Sequence, residues 1–255
     1  MPRLNLEKLQ LENIRQLKRY ERFGVRLFRR ALERQSNEFK PEIMRNAYIE
    51  FYQFAFVDSA KREYTRIRNQ EGRLKDFTID EFFLNTWRAW IAEWVKDNLG
   101  LMIARINDNT LRQIQAVLAE ATGEGLNPFQ TQRLIRERVG FNKARALAIA
   151  RTESTRANAM GKQRSAEDWK LQTGTSLCKM WVHGGSRDPR ISHLEANGSI
   201  VKDGDLFPID SGLYLPGDKN APASSTVNCS CTVVFMSERF VKRNYPEQAN
   251  DLGLV

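Results

Sequence analysis

Apolar positions in the first half of the chain recur at steps of three and four. Leu11, Ile14 and Leu17, then Phe23, Leu27 and Ala31, share one side of a 3.6-residue period, which predicts a helix over residues 4–34. Pro41 suits the first turn of a second helix, whose apolar face carries Met44, Ala47, Tyr48, Phe51 and Ala55. Gly72 marks a loop, and Thr78-Ile79-Asp80-Glu81 reads as a capping box that starts a third helix. Trp87, Trp90, Trp94 and Leu101 fall near one face of it, with Gly100 as a point of interruption and a separate helical segment expected over 110–121. Such a tryptophan stripe is ordinarily core; where neighbouring helices leave it uncovered, it suits a partner surface.

Past residue 125 the pattern changes. Asn127-Pro128-Phe129-Gln130 opens a helix predicted over 128–139 and stopped at Gly140, and Asn142 can cap a long helix reaching about residue 171. Residues 179–183 and 232–235 read as strands, separated by turn-rich chain at Gly184-Gly185, Asn197-Gly198, Asp203-Gly204 and Pro216-Gly217. These elements predict an α+β protein. A helical domain over 1–125 precedes a small domain over 126–243, in which a long helix packs on a few antiparallel strands, and 244–255 reads as a loosely held tail.

Charge adds a candidate surface to this picture. Lys and Arg number 40 against 31 Asp and Glu, and Arg15, Arg19, Arg22, Arg26 and Arg30 step along one side of the first helix. The stripe reads either as a solvated face balanced by Glu12, Glu21 and Glu33 or as a sequence-independent contact to the phosphates of double-stranded DNA. Three cysteines are too few for a disulfide framework and fit a reducing cytoplasm. No apolar run approaches the roughly 18 residues of a membrane span, so no membrane partner is expected.

Candidate chemistry gathers in the second half. Cys229 and Cys231, at the start of a β-branched run, would point to one face by strand alternation, and Cys178 and His193 complete a set of four ligands sufficient for tetrahedral zinc. The same residues also read as small buried thiols with a hydrogen-bonded histidine, in which case no cofactor is required. A nucleophile–base reading of His193 with Asp188 and Glu195 lacks an identifiable oxyanion donor. Arg151 and Glu153, two apart on a helix, cannot face each other, so each is expected to anchor the long helix to the strands through its own partner.

Taken in order, these residues resemble a known family. Ala146-Leu147-Ala148-Ile149-Ala150-Arg151-Thr152-Glu153, then Trp181, Asp188-Pro189-Arg190, Ser192-His193, Gly198, Phe207, Pro216-Gly217-Asp218 and Asn228-Cys229-Ser230-Cys231 resemble the C-terminal domain of the phage Mu protein F-like minor head morphogenesis family. Ser230 departs from it, standing where the family most often has a basic residue. The resemblance implies structural motif positions at Arg151, Glu153, Trp181, Asp188, Arg190, His193 and Asn228. It also implies a virion protein of the capsid interior or portal vertex, assembled in the bacterial cytoplasm. Its implied partners are the portal, major capsid or scaffolding protein and nonspecific double-stranded DNA, met by binding without turnover. Two further readings stand beside it: a metal-dependent hydrolase carried by the C-terminal domain, and a nonspecific DNA-binding protein outside any virion.

Overall fold

The computed structural model describes residues 3–33, 41–71, 79, 81–126, 130, 134, 143–210 and 212–254. Four long helices come first: α1 (Leu6–Glu33), α2 (Pro41–Glu71), α3 (Glu81–Gly123) and α4 (Lys143–Thr173). They are followed by β1 (Leu177–Val182), α5 (Ile191–Glu195), β2 (Ile200–Lys202), α6 (Ala223–Thr226), β3 (Thr232–Ser237), α7 (Glu238–Asn244) and α8 (Pro246–Asp251). The class is α+β, as the periodicities predict. Thr78 of the capping box and most of the helix expected over 128–139, with its signals at Asn127, Gly140 and Asn142, lie outside the described residues.

Gly100 does not interrupt α3, which runs unbroken for 43 residues and absorbs the segment expected over 110–121. One helical glycine costs only about 1 kcal/mol relative to alanine, which the packing of a long helix overrides. The boundary expected at residue 125 does not divide the packing either. Leu17, Tyr20 and Phe28 of α1, Phe51, Tyr52 and Phe56 of α2, and Trp87 and Ile91 of α3 share one core with Ala146, Ala150 and Ala157 of α4. The small residues of α4 explain this, because they let α1 and α2 come close. A Cβ at Gly161 would sit 2.5 Å from the Phe56 carbonyl oxygen, so glycine is what permits that crossing.

The sheet order is β2-β1-β3, antiparallel throughout. Leu177, Trp181, Val233 and Phe235 face α4, packing with Ala166, Trp169, Phe207 and Leu213. Cys178, Met180, Val182, Val234 and Met236 face the other way, against Phe240, Val241, Ala249 and Leu254. The C-terminal residues cover this second face together with Leu4, Leu6 and Leu9, so 244–254 is no loosely held tail. Ser237 caps α7 by accepting the Phe240 N–H at 3.1 Å. Pro246 opens α8, and Ala249 and Leu254 are buried. The Leu4 N–H donates to the Tyr245 hydroxyl at 3.0 Å, which ties the start of the chain to its end.

A buried polar seam joins the helices to β3. Lys162 donates to the Thr232 hydroxyl (2.8 Å) and the Val233 carbonyl (3.0 Å), and Asn158 donates to Asn13 (3.1 Å) and Thr232 (3.0 Å). Glu63 of α2 accepts the Phe235 N–H at 2.7 Å and pairs with Arg66. Lys162, Asn158 and Glu63 each have a partner of matching polarity, which is what burial of polar atoms requires.

Candidate metal centre

Cys229 and Cys231 lie in the loop that enters β3, so strand alternation is not what aligns their sulfurs. The loop is shaped by Asn228, which adopts a left-handed backbone (φ 56°) and donates its N–H to the Thr152 hydroxyl at 3.2 Å. Thr155 of α4 donates to the Cys229 carbonyl, and Asn13 of α1 donates to the Ser230 carbonyl at 2.9 Å. On the opposite side Gly184 follows β1 so closely that a Cβ there would lie 2.1 Å from the Ser230 carbonyl oxygen. The cysteine loop is held from three directions.

His193 reaches it from α5. Its Nδ1 lies 3.6 Å from the Cys229 sulfur and 3.7 Å from the Cys231 sulfur. All three side chains are buried, and their ligand atoms lie within 4.8 Å of one another. Trp181 packs edge-on against the imidazole at 5.2 Å. The second ring nitrogen, Nε2, has no hydrogen-bond partner among the described residues and lies 3.9 Å from Asp210 Oδ2. Asp210 accepts hydrogen bonds from Ser192 (2.9 Å) and Ser225 (2.5 Å), the latter being the main reason its carboxyl is held below the usual range. The Cys231 thiol, acting as a hydrogen-bond donor, holds the Cys229 sulfur well below the ordinary thiol value. His193 favours the thiolate further, while Cys231 itself is pushed up by that bond and by burial.

Cys178 does not join this group. It pairs in register with Met236 and faces the C-terminal helices, whereas Trp181 and Val233 face the site. A strand's alternation makes this a matter of parity. Burial raises the Cys178 thiol to about 12, which suits a packing residue. Asp188 and Glu195 are both exposed, and the acid beside His193 is Asp210, which no spacing in the sequence singles out. Arg190 donates to the carbonyls of Ser224 and, at 2.8 Å, Val227, tying α6 to the start of α5.

The Arg151–Glu153 pair anchors α4 to other helices and to a turn, and not to the strands. Arg151 is half-exposed and lies 3.7 Å from Glu21 of α1. Glu153 is buried; both its carboxylate oxygens accept from Arg156 Nη1 (2.7 and 2.8 Å), and one also accepts from the Tyr52 hydroxyl at 2.6 Å. Arg156 also donates to the Gly217 carbonyl at 2.9 Å, which fixes the Pro216-Gly217 turn. The sequence pattern does not single out Arg156, although its i,i+3 spacing from Glu153 is a usable signal.

Arg15, Arg19, Arg22, Arg26 and Arg30 all lie on the exposed side of α1, away from Leu17, Tyr20, Phe28 and Ala31. Arg19 is committed in part: it pairs with Asp58 at 3.2 Å and lies over the Phe54 ring. Trp87 is fully buried and donates to Asp168 at 2.7 Å. Trp90 and Trp94 are half-buried and line a cleft of about 520 Å³ with Met160, Tyr214 and Pro216. Among the described residues no helix is long and apolar enough to cross a membrane.

Two relatives share part of this chain. The uncharacterized protein YqbB of Bacillus subtilis (strain 168) is 23% identical over 168 residues, 64% of this chain and 52% of that protein. The NAD(+)–arginine ADP-ribosyltransferase EFV of Enterococcus faecalis (strain ATCC 700802 / V583) is 30% identical over 154 residues, 60% of this chain and 31% of that protein. The chain thus spans about half the length of one relative and under a third of the other. No solved structure matches it. Residues 112–234 match the family described as phage Mu protein F like protein, a span that holds the Arg151–Glu153 helix, Trp181, His193 and the Asn228-Cys229-Ser230-Cys231 loop. Over that span, a little under half of the chain, this protein is similar to the phage Mu protein F-like family.

Proposed function

We propose that this protein is a minor head protein of a tailed bacteriophage or prophage that acts by binding during head assembly. The family match over residues 112–234 carries the reading, and several residues within that span brace the fold. Glu153, Trp181, His193, Cys229 and Cys231 are each at most 5% exposed, and their hydrogen bonds and ring contacts run to neighbouring elements. Such an arrangement supports a rigid module more than a site for turnover. A hydrolytic metal centre keeps one coordination position open to substrate, and burial of all three candidate ligands argues against that use.

Binding surfaces are what the reading then needs. The arginine stripe of α1 is exposed and suited to sequence-independent contact with the backbone of packaged DNA. Its partners on the protein side are the portal, major capsid or scaffolding protein, at the portal vertex or on the capsid interior. The transferase activity in the name of the enterococcal relative belongs to a protein of which this match covers 31%, and nothing in the reading draws on it. The test is whether the chain is present in proheads or virions of the phage that encodes it.

A further inference from the structure

We propose that His193, Cys229 and Cys231 bind a zinc ion, with Asp210 orienting the histidine. This inference stands apart from any role in head assembly, since it rests on the geometry of the three ligand atoms and of the carboxylate behind them. An ion bonded at about 2.3 Å to sulfur and 2.0–2.1 Å to nitrogen in a tetrahedron sets the sulfur–nitrogen separation at roughly 3.6 Å. The two separations here are 3.6 and 3.7 Å. A single position closer to the nitrogen than to the two sulfurs is compatible with these separations, the three ligand atoms all lying within 4.8 Å of one another.

Charge points the same way. Two thiolates and a neutral imidazole cancel the charge of a divalent cation, so the loaded centre buries no net charge, while a lone ion or a lone thiolate in the same place would be costly. On binding, two zinc–sulfur bonds and one zinc–nitrogen bond form, and the protons held by the thiols leave to solvent.

The far side of the imidazole supplies the second observation. His193 is 2% exposed, yet among the described residues its Nε2 has no hydrogen-bond partner. Coordination through Nδ1 places the ring proton on Nε2, facing Asp210 Oδ2 at 3.9 Å, so that a small shift of the ring closes a carboxylate–histidine–metal relay. Asp210 is built for this role: it is held by two serine hydroxyls, one of them on Ser192 beside the histidine. The three-residue set leaves a fourth position for a water molecule.

The test uses the full chain, expressed with zinc and purified without chelator. Elemental analysis should find zinc in a one-to-one ratio with protein. Replacing it by Co²⁺ should give thiolate-to-metal charge-transfer absorption, and a strong chelator should lower the melting temperature. The double variant C229S/C231S should lose both the metal and the absorption. D210N should keep its fold and bind zinc about 10 to 100 times more weakly. Should the double variant fail to fold, the cobalt spectrum of the unaltered chain decides by itself. A chain that purifies metal-free and gives no thiolate–cobalt absorption overturns the proposal, as does a Cys229–Cys231 disulfide found in place of the metal. Unchanged zinc affinity in D210N overturns the part assigned to Asp210.

Discussion

Two members of one short motif, Arg151 and Glu153, have very different surroundings, and their substitutions should separate accordingly. Removing the Glu153 side chain leaves Arg156 as a buried cation without its carboxylate, a defect that costs about 3–5 kcal/mol. Arg151 is half-exposed and 3.7 Å from its acid, so Arg151→Ala should cost no more than about 1 kcal/mol. Urea unfolding of the two variants checks this, and equal losses would refute the division of roles. Lys179 tests the cost of burial. It is wholly buried, its Nζ has no hydrogen-bond partner among the described residues and lies over the Tyr214 ring, and burial lowers it to about 8. The unfolded chain keeps that proton up to about 10.5, so between pH 8 and 10 the unfolded state binds more protons and stability rises with pH. Below pH 8 the penalty is present in full. Lys179→Met should therefore be more stable at pH 7 and show a shallower rise in melting temperature from pH 8 to 10, with Lys162, also lowered to about 8, supplying the remainder. A rise as steep as in the unaltered chain would assign the slope elsewhere. At this scale the sequence names the residues of the centre but not their roles. His193, Cys229 and Cys231 stand out by type, whereas Asp210 and the parity of Cys178 depend on loop path and register, which composition does not encode.

Helix α1 is legible because a one-sided apolar period survives in the linear text, α2 from the proline at its start and α4 from the stop and cap signals at Gly140 and Asn142, and both long strands fall within a few residues of their expected ends. What the pattern misses is short or lacks a period. β2 has three residues, and α5 and α6 are single turns whose geometry depends on the glycine-rich chain around them. The last twelve residues read as a loosely held tail because their few apolar side chains, Ala249, Leu252 and Leu254 among them, acquire meaning only against the second face of the sheet, where they pack beside Phe240, Val241 and the start of α1. The arginine stripe is the element whose use remains to be measured. If it contacts DNA, replacing Arg15, Arg22, Arg26 and Arg30 by Gln should weaken binding to any duplex and flatten the dependence of affinity on salt by roughly 0.9 for each phosphate no longer neutralised. Arg19 is left in place because its pairing with Asp58 serves the packing of α1 on α2. A salt dependence that does not change would make the stripe an ordinary solvated face.

As a whole molecule the protein is organised around α4, which packs on α1 and α2 along one side and on the sheet along another. That is why a boundary at residue 125, plausible from composition, does not appear in the packing: the helix bearing the family's Arg-Thr-Glu motif is also the wall of the N-terminal core. The family span and the basic helical layer are therefore braced against each other, and a partner that grips one also positions the other. This suits a binding protein of an assembling particle, whose work is to hold surfaces in register. The most direct measurement is quantitative mass spectrometry of proheads and of mature virions, purified from the phage that encodes this chain and freed of loosely attached protein by a salt wash. A head-assembly role predicts peptides of this chain in the proheads, at a fixed ratio to the portal protein, whether or not the chain persists in virions. Absence from both particles, with the chain abundant in the same lysate, would contradict it.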